Sequence, residues 1–351
     1  MNKVIISSRS IVKIAAAAVL ILAWNVAAPS QKKKVSDLVP AIAFVSTRDH
    51  GAESTAELFL ATEIYLIDMD GKNPRRLTNN RFSDLYPNIS PDGRRIVFES
   101  GRLRVSGDPD NLSDLFIMNS DGTNQRHLIR GSSASWSPDG KHVVYHASAS
   151  GRGTMNRPRP GSATSDSDLF ILNVDDFLKG KGTARNLTND PAMIDEDADW
   201  SPDGKTIAFT RYGIDVPHDK ATSSEIFLIN ANGREKLRRL TNNNDEERSP
   251  AWSPDGKQLA STCKIGGSPL QACAMNADGS GLRALTSKTG RTAVWSPDGK
   301  RIIFHRTVKF GDTEDEQLFS VDLSGVNEIQ LTSGTHLNGW ANPGMVRRTR
   351  P

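Results

Sequence analysis

Through most of this chain apolar residues come in short runs, separated every few positions by polar punctuation. Four kinds of run recur in a fixed order. The first ends in tryptophan, as in Ser249-Pro250-Ala251-Trp252. The second follows a turn: Ile96-Val97-Phe98, Val143-Val144-Tyr145, Ile207-Ala208-Phe209, Leu259-Ala260-Ser261 and Ile302-Ile303-Phe304. The third reads Asp114 to Asn119, Asp168 to Asn173, Glu225 to Asn230, Gln271 to Asn276 and Gln317 to Asp322. The fourth carries Leu-Thr or a variant: Leu128-Ile129, Leu187-Thr188, Leu240-Thr241, Leu285-Thr286 and Leu331-Thr332. Such runs, rich in β-branched and aromatic residues and bounded by Gly, Pro, Asp and Asn, predict strands and hairpins.

The punctuation repeats as well. Ser-Pro-Asp-Gly followed by a basic residue occurs at Ser90, Ser137, Ser201, Ser253 and Ser296, at intervals of 43 to 64 residues. Trp136, Trp200, Trp252 and Trp295 precede the last four. Proline presets φ for the second turn position, Asp bonds its own following backbone, and glycine takes the positive φ that other residues avoid. The same chemistry marks the third-to-fourth turns at Asp70-Gly71, Asp121-Gly122, Asn232-Gly233, Asp278-Gly279 and Ser324-Gly325. A motif that survives uneven spacing marks a repeating unit with a fixed frame and variable loops. These turns read as structural.

Second, third and fourth runs also precede the first turn motif, at Ala41 to Ser46, Glu63 to Asp68 and Arg75 to Thr78, with no first run of their own. After the last Leu-Thr, Leu337-Asn338-Gly339-Trp340-Ala341-Asn342-Pro343-Gly344 reads as a degenerate Trp-Ser-Pro-Asp-Gly with no second run behind it. The two orphans complete one unit. The expectation is an all-β, six-bladed β-propeller over residues 41–344, its ring closed by a C-terminal strand that completes the N-terminal blade. Closure removes sheet edges that would otherwise pair with other chains.

At this point the chain resembles a known family. The Trp200-Ser201-Pro202-Asp203-Gly204-Lys205 turn, the Ile226-Phe227-Leu228-Ile229-Asn230 strand and the Arg238-Arg239-Leu240-Thr241-Asn242 strand look like the TolB-type propeller repeat. The resemblance covers residues 41 to about 344. Members with the Tol role carry an α/β domain before the propeller, and residues 29–40 are too few to form one. What the resemblance implies is a protein partner in the cell envelope, since the propeller of that family binds a peptidoglycan-associated lipoprotein.

Charge and composition narrow the partner. The formal charge of +3 comes from the N-terminus, where six basic residues and no acid fall in the first 34 positions, leaving the rest at about −3. A near-neutral body offers no phosphate-binding stripe, so nucleic acid is not expected. Lys3, Arg9 and Lys13, an apolar stretch from Ile14 to Trp24, and Val26-Ala27-Ala28 read as a signal peptide over residues 1–28. Cleavage there would leave Pro29 as the new terminus, so retention as a membrane anchor stays open beside removal. Residues 29–40 read as a linker and 345–351 as a basic tail, and the expected location is periplasmic or secreted.

In a propeller the second-to-third loops and the blade-joining loops share one face, opposite the tight turns. Here that face collects the long insertions, where recognition is expected. Candidate binding residues are Arg157 and Arg159 in one insertion, and Asp195, Glu196, Asp197, Asp199, Asp245, Glu246 and Glu247 in the blade-joining loops. The carboxylates would gather a cation or a basic peptide, and calcium is the alternative to no cofactor. His50, His146, His218 and His305 are the candidates for a second reading, a polysaccharide-acting lyase or hydrolase with a metal or histidine site at the channel mouth. No His-Glu-x-x-His pairing supports it, and no metal or catalytic residue is expected. The favoured reading is a non-enzymatic, exported protein-binding propeller. Cys263 and Cys273 flank a Gly266-Gly267-Ser268-Pro269 turn and read either as a disulfide between neighbouring strands or as two buried thiols.

Overall fold

The computed structural model describes residues 38–49, 62–103, 114–148, 167–190, 193–213, 224–234, 237–243 and 245–347. Among these, the strands form six four-stranded sheets, and Val174–Leu178 makes one short helix. The first sheet pairs Asn338–Arg347 with Leu38–Ser46, then Glu63–Asp68 and Arg75–Arg76, so the C-terminal strand is the innermost member of the N-terminal blade. Innermost strands follow one another around a ring: Asp84–Ile89, Ser132–Trp136, Met193–Trp200, Glu246–Trp252, Arg291–Trp295, and Asn338–Arg347, which packs back against Asp84–Ile89. This is a closed six-bladed β-propeller. Blades are numbered one to six from the sheet containing Leu38–Ser46, and strands one to four from the channel outward.

The second and third strands are unbroken apolar runs because both of their faces are covered. Ile96, Val97 and Phe98 are all fully buried. The core lies between blades. One cluster joins Ala43, Val45, Ile64 and Leu66 of blade one to Ile96, Phe98, Phe116 and Met118 of blade two. Another joins Phe44 and Tyr65 of blade one to Ile303 and Leu318 of blade six, sealing the ring from the other side.

All five Ser-Pro-Asp-Gly turns have one hydrogen-bond pattern. The serine hydroxyl donates to the Asp carboxylate at 2.6–2.7 Å and accepts the N–H five residues on at 2.9–3.0 Å. The glycine lies at φ 66 to 72°; Gly93 faces Met345 and Leu38 of blade one, and the other four face the preceding blade's turn. A Cβ on Gly140, Gly204, Gly256 or Gly299 would lie 3.3–3.9 Å from Pro91, Pro138, Pro202 or Pro254 respectively. The motif therefore sets each hairpin and seats each turn against its neighbour.

Every first strand carries a bulge. Register shifts there coincide with one left-handed residue per blade: Trp340 (φ 44°), Tyr86 (47°), Ser133 (50°), Asp197 (52°), Ser249 (52°) and Thr292 (51°). A bulge bends and twists the strand and re-aims its side chains. It also corrects the expected alignment of the last strand. In four blades the tryptophan stands three residues after the bulge; in blade one that place belongs to Pro343. Trp340 is the bulge residue, so it is no counterpart of Trp252 and belongs to the channel wall.

Candidate functional site: the central channel

The six first strands enclose a cavity of about 570 Å³. The bulges sort its lining into tiers. At the bulge stand Trp340, Tyr86, Ser133, Asp197, Ser249 and Thr292. One residue earlier, blades four, five and six present Glu196, Arg248 and Arg291. Two residues after the bulge come Asn342, Asn88, Ser135, Asp199, Ala251 and Val294, of which the four polar side chains tie neighbouring strands together. Asn342 accepts the Ile89 N–H at 2.8 Å, Asn88 accepts that of Trp136 at 3.2 Å, and Asp199 accepts the Ser135 hydroxyl at 2.9 Å and the Trp252 N–H at 2.8 Å. Burial pushes the Asp199 carboxyl up to about 6 despite these donors.

The expected acidic residues separate into distinct roles. Asp195 to Asp199 and Glu246 to Glu247 lie within first strands, not in loops before them. Glu196, Asp197 and Asp199 face the channel, and Asp197 accepts the Ser249 hydroxyl at 2.7 Å. Asp195 is fully buried and held bidentately by Arg211, at 2.7 and 2.8 Å. Asp245 accepts the Gly266 N–H at 2.9 Å, and Glu246 faces Lys264 at 3.7 Å. Glu247 is fully buried; Asn243 donates to its Oε1 at 3.0 Å, and its Oε2 has no hydrogen-bond partner. Burial first, then the neighbouring Glu225 and Asp245, push its carboxyl up to about 7. Arg157 and Arg159 lie outside the described residues, as do His50 and His218.

The two remaining histidines are not on an exposed face. His146 and His305 are buried in the second strands of blades three and six, on opposite sides of the six-membered ring. That placement keeps them from sharing one metal ion. Among the described residues, no group of three or more His, Cys, Asp or Glu side chains is arranged to hold a metal. Burial lowers both imidazoles, His305 to about 3 with help from Arg291, so His305 is neutral at pH 7. His305 backs Trp340, with ring centroids 5.7 Å apart, and its Nε2 lies 3.4 Å from Glu316.

Sequence reasoning missed Tyr86, Trp340, Arg248, Arg291 and Glu316 on the channel wall. A signal existed for the arginines. Glu196, Arg248 and Arg291 each stand four residues before the tryptophan of their blade. Trp340 was masked by its likeness to that same tryptophan.

Cys263 and Cys273 are joined as a disulfide between strands two and three of blade five, with Cα atoms 5.9 Å apart. They are not opposite one another, as a directly facing pair would be. Cys263 faces Gln271 and Cys273 faces Ser261, so the bridge runs diagonally on one face of the sheet.

Residues 214–346 match the model of the TolB β-propeller domain. Over that span the chain is similar to a TolB β-propeller domain. Over 233 residues, or 62% of its length, it is 25% identical to an uncharacterized protein of Agrobacterium fabrum, 70% of which it covers. It is 32% identical over 121 residues to the TolB homolog of Chlorobaculum tepidum, covering 34% of this chain and 24% of that one. In structure the chain is similar to TolB from Acinetobacter baumannii, with a TM-score of 0.66, 20% identity, and coverage of 88% of this chain and 67% of that one. At that identity the likeness is one of fold.

Proposed function

We propose that this TolB-like propeller is an exported, non-enzymatic binding protein of the cell envelope that receives a segment of a partner protein in its channel. One observation carries the reading. Six bulges share the same left-handed backbone yet present Trp, Tyr, Ser, Asp, Ser and Thr to one cavity. A frame that repeats while its side chains differ is suited to recognising an asymmetric ligand. A bulky residue at positive φ is strained, and strain of this kind collects at binding sites. The resemblance to TolB-like propellers supports an envelope partner, and the basic-apolar N-terminus supports export.

A photo-cross-linking amino acid at Ser133 on the channel wall, compared with one at Val326 on the exterior, tests the reading in cells that produce the protein. The expected result is a discrete protein adduct in the envelope fraction from position 133 and none from 326. Equal labelling at both positions, or adducts only with cytoplasmic proteins, would refute it.

A further inference from the structure

The channel wall is divided by chemistry. Arg248 of blade five and Arg291 of blade six stand at the same height on adjacent first strands. Arg248 is half-buried, yet among the described residues its side chain has no ion pair and no hydrogen bond. Arg291 has one loose contact, Nη1 to Glu316 Oε1 at 3.4 Å. Across the junction of blades one and two, Tyr86 and Trp340 meet edge to face, 5.6 Å between centroids and 60° between planes. The remaining wall is formed by Ser133 and Ser135 of blade three and by Glu196 and Asp197 of blade four.

We infer that the Arg248–Arg291 pair is a carboxylate-binding subsite for an acidic peptide, and that the Tyr86–Trp340 notch takes a bulky apolar side chain of the same segment. The inference rests on the binding function proposed above. A guanidinium without a partner in a partly desolvated wall is poised for a charge-assisted, bidentate bond to a carboxylate. Charge complementarity favours a peptide over an acidic polysaccharide. A polyuronate would bring one carboxylate per sugar toward Glu196, Asp197 and Glu316 as well as toward the arginines. A peptide can aim its one carboxylate at the arginines and offer backbone N–H groups to the acids. The aromatic pair also forms an angled notch, which suits a side chain better than the flat face of a sugar ring.

The test selects phage-displayed random dodecapeptides on the intact chain and on Arg248→Glu, whose folding is checked by thermal unfolding. The wild-type channel is expected to enrich peptides with Asp or Glu near an aromatic or large aliphatic residue; Arg248→Glu is expected to enrich Lys or Arg instead. In a synthetic copy of the best peptide, changing the acid to its amide should weaken binding about tenfold or more on wild type and leave binding to Arg248→Met nearly unchanged. Trp340→Ala should lose the apolar preference while keeping the acidic one. The same peptides enriched on both proteins, or no enrichment on either, would overturn the inference, as would digalacturonate binding that Arg248→Met abolishes. If the channel cross-links a partner while acid and amide peptides bind equally, the carboxylate subsite fails and the broader binding function stands.

Discussion

Blades four and five solve one packing problem in different ways. In blade four, Phe209 and Phe227 face each other across strands two and three with centroids 6.0 Å apart. The Arg211 guanidinium lies over both, 5.3 Å from Phe227 and 5.8 Å from Phe209, and binds the buried Asp195 of strand one. Blade six repeats the arrangement with Phe304, Phe319 and Arg306, the last held by Glu328 at 2.6 and 2.8 Å. In blade five the aromatic positions hold Ser261 and Cys273, and the arginine position holds Cys263. A covalent link replaces the stacked cation and the ring pair. The acid is left behind: Glu247, two residues before its bulge as Asp195 is, keeps the carboxylate and has lost the arginine. Burial raises both carboxyls, but blade four opposes the shift with the Arg211 cation, whereas blade five has no such cation and favours the proton.

Four expectations would break or sharpen this comparison. The largest effect concerns the ring that both blades share. Removing residues 335–351 deletes the first strand of blade one and bares the fully buried Ile42, Ala43 and Phe44. Gross loss of folding is expected by far-UV circular dichroism, and a truncated chain with unchanged thermal unfolding would contradict the closure. Next, Arg211→Met strands a buried carboxylate and should cost about 3–5 kcal/mol in urea unfolding, because unpairing a buried ion pair leaves one charge uncompensated. Adding Asp195→Asn should restore much of that loss; no restoration would show that Arg211 acts through packing alone.

In blade five the corresponding change is covalent. Cys263→Ser with Cys273→Ser opens a loop with a sequence separation of 10 residues and should cost about 2–3 kcal/mol on the loop-entropy model. Two free thiols in the denatured, unreduced wild type would contradict the bridge. The acid predicts a pH effect of similar size. A carboxyl raised from 4.5 to about 7 binds its proton more tightly in the folded state. Its contribution is therefore full below pH 4.5 and is lost as pH rises through about 7, by about 3 kcal/mol at most. Stability of wild type minus that of Glu247→Gln should fall across that window. A flat difference curve would mean that Glu247 is ionised and paired.

Much of the frame was legible in the chain. The turn motif, the apolar runs and the two orphan pieces determined blade number and closure, because each reflects local demands of turn, strand or edge. The channel was legible only in part. Glu196, Asp197 and Asp199 drew notice as a run of acids, but a run in sequence alternates its directions in a strand, and Asp195 points to Arg211 instead of joining them. Arg248 and Arg291 share a spacing of four residues before a tryptophan, but nothing in the local sequence tells which charges the fold pairs and which it leaves facing the channel.

Tyr86 and Trp340 show the division most plainly. By itself the sequence determined the repeat, the turns and the number of blades, since these follow from the φ preferences of Pro and Gly and from hydrophobic burial over a few residues. Only the tertiary structure decided that two aromatics 254 positions apart meet across the closure, and that the last tryptophan belongs to the channel and not to a turn. Ring closure places these residues together, and the bulge aims them. Both depend on strands from distant parts of the chain pairing in one register.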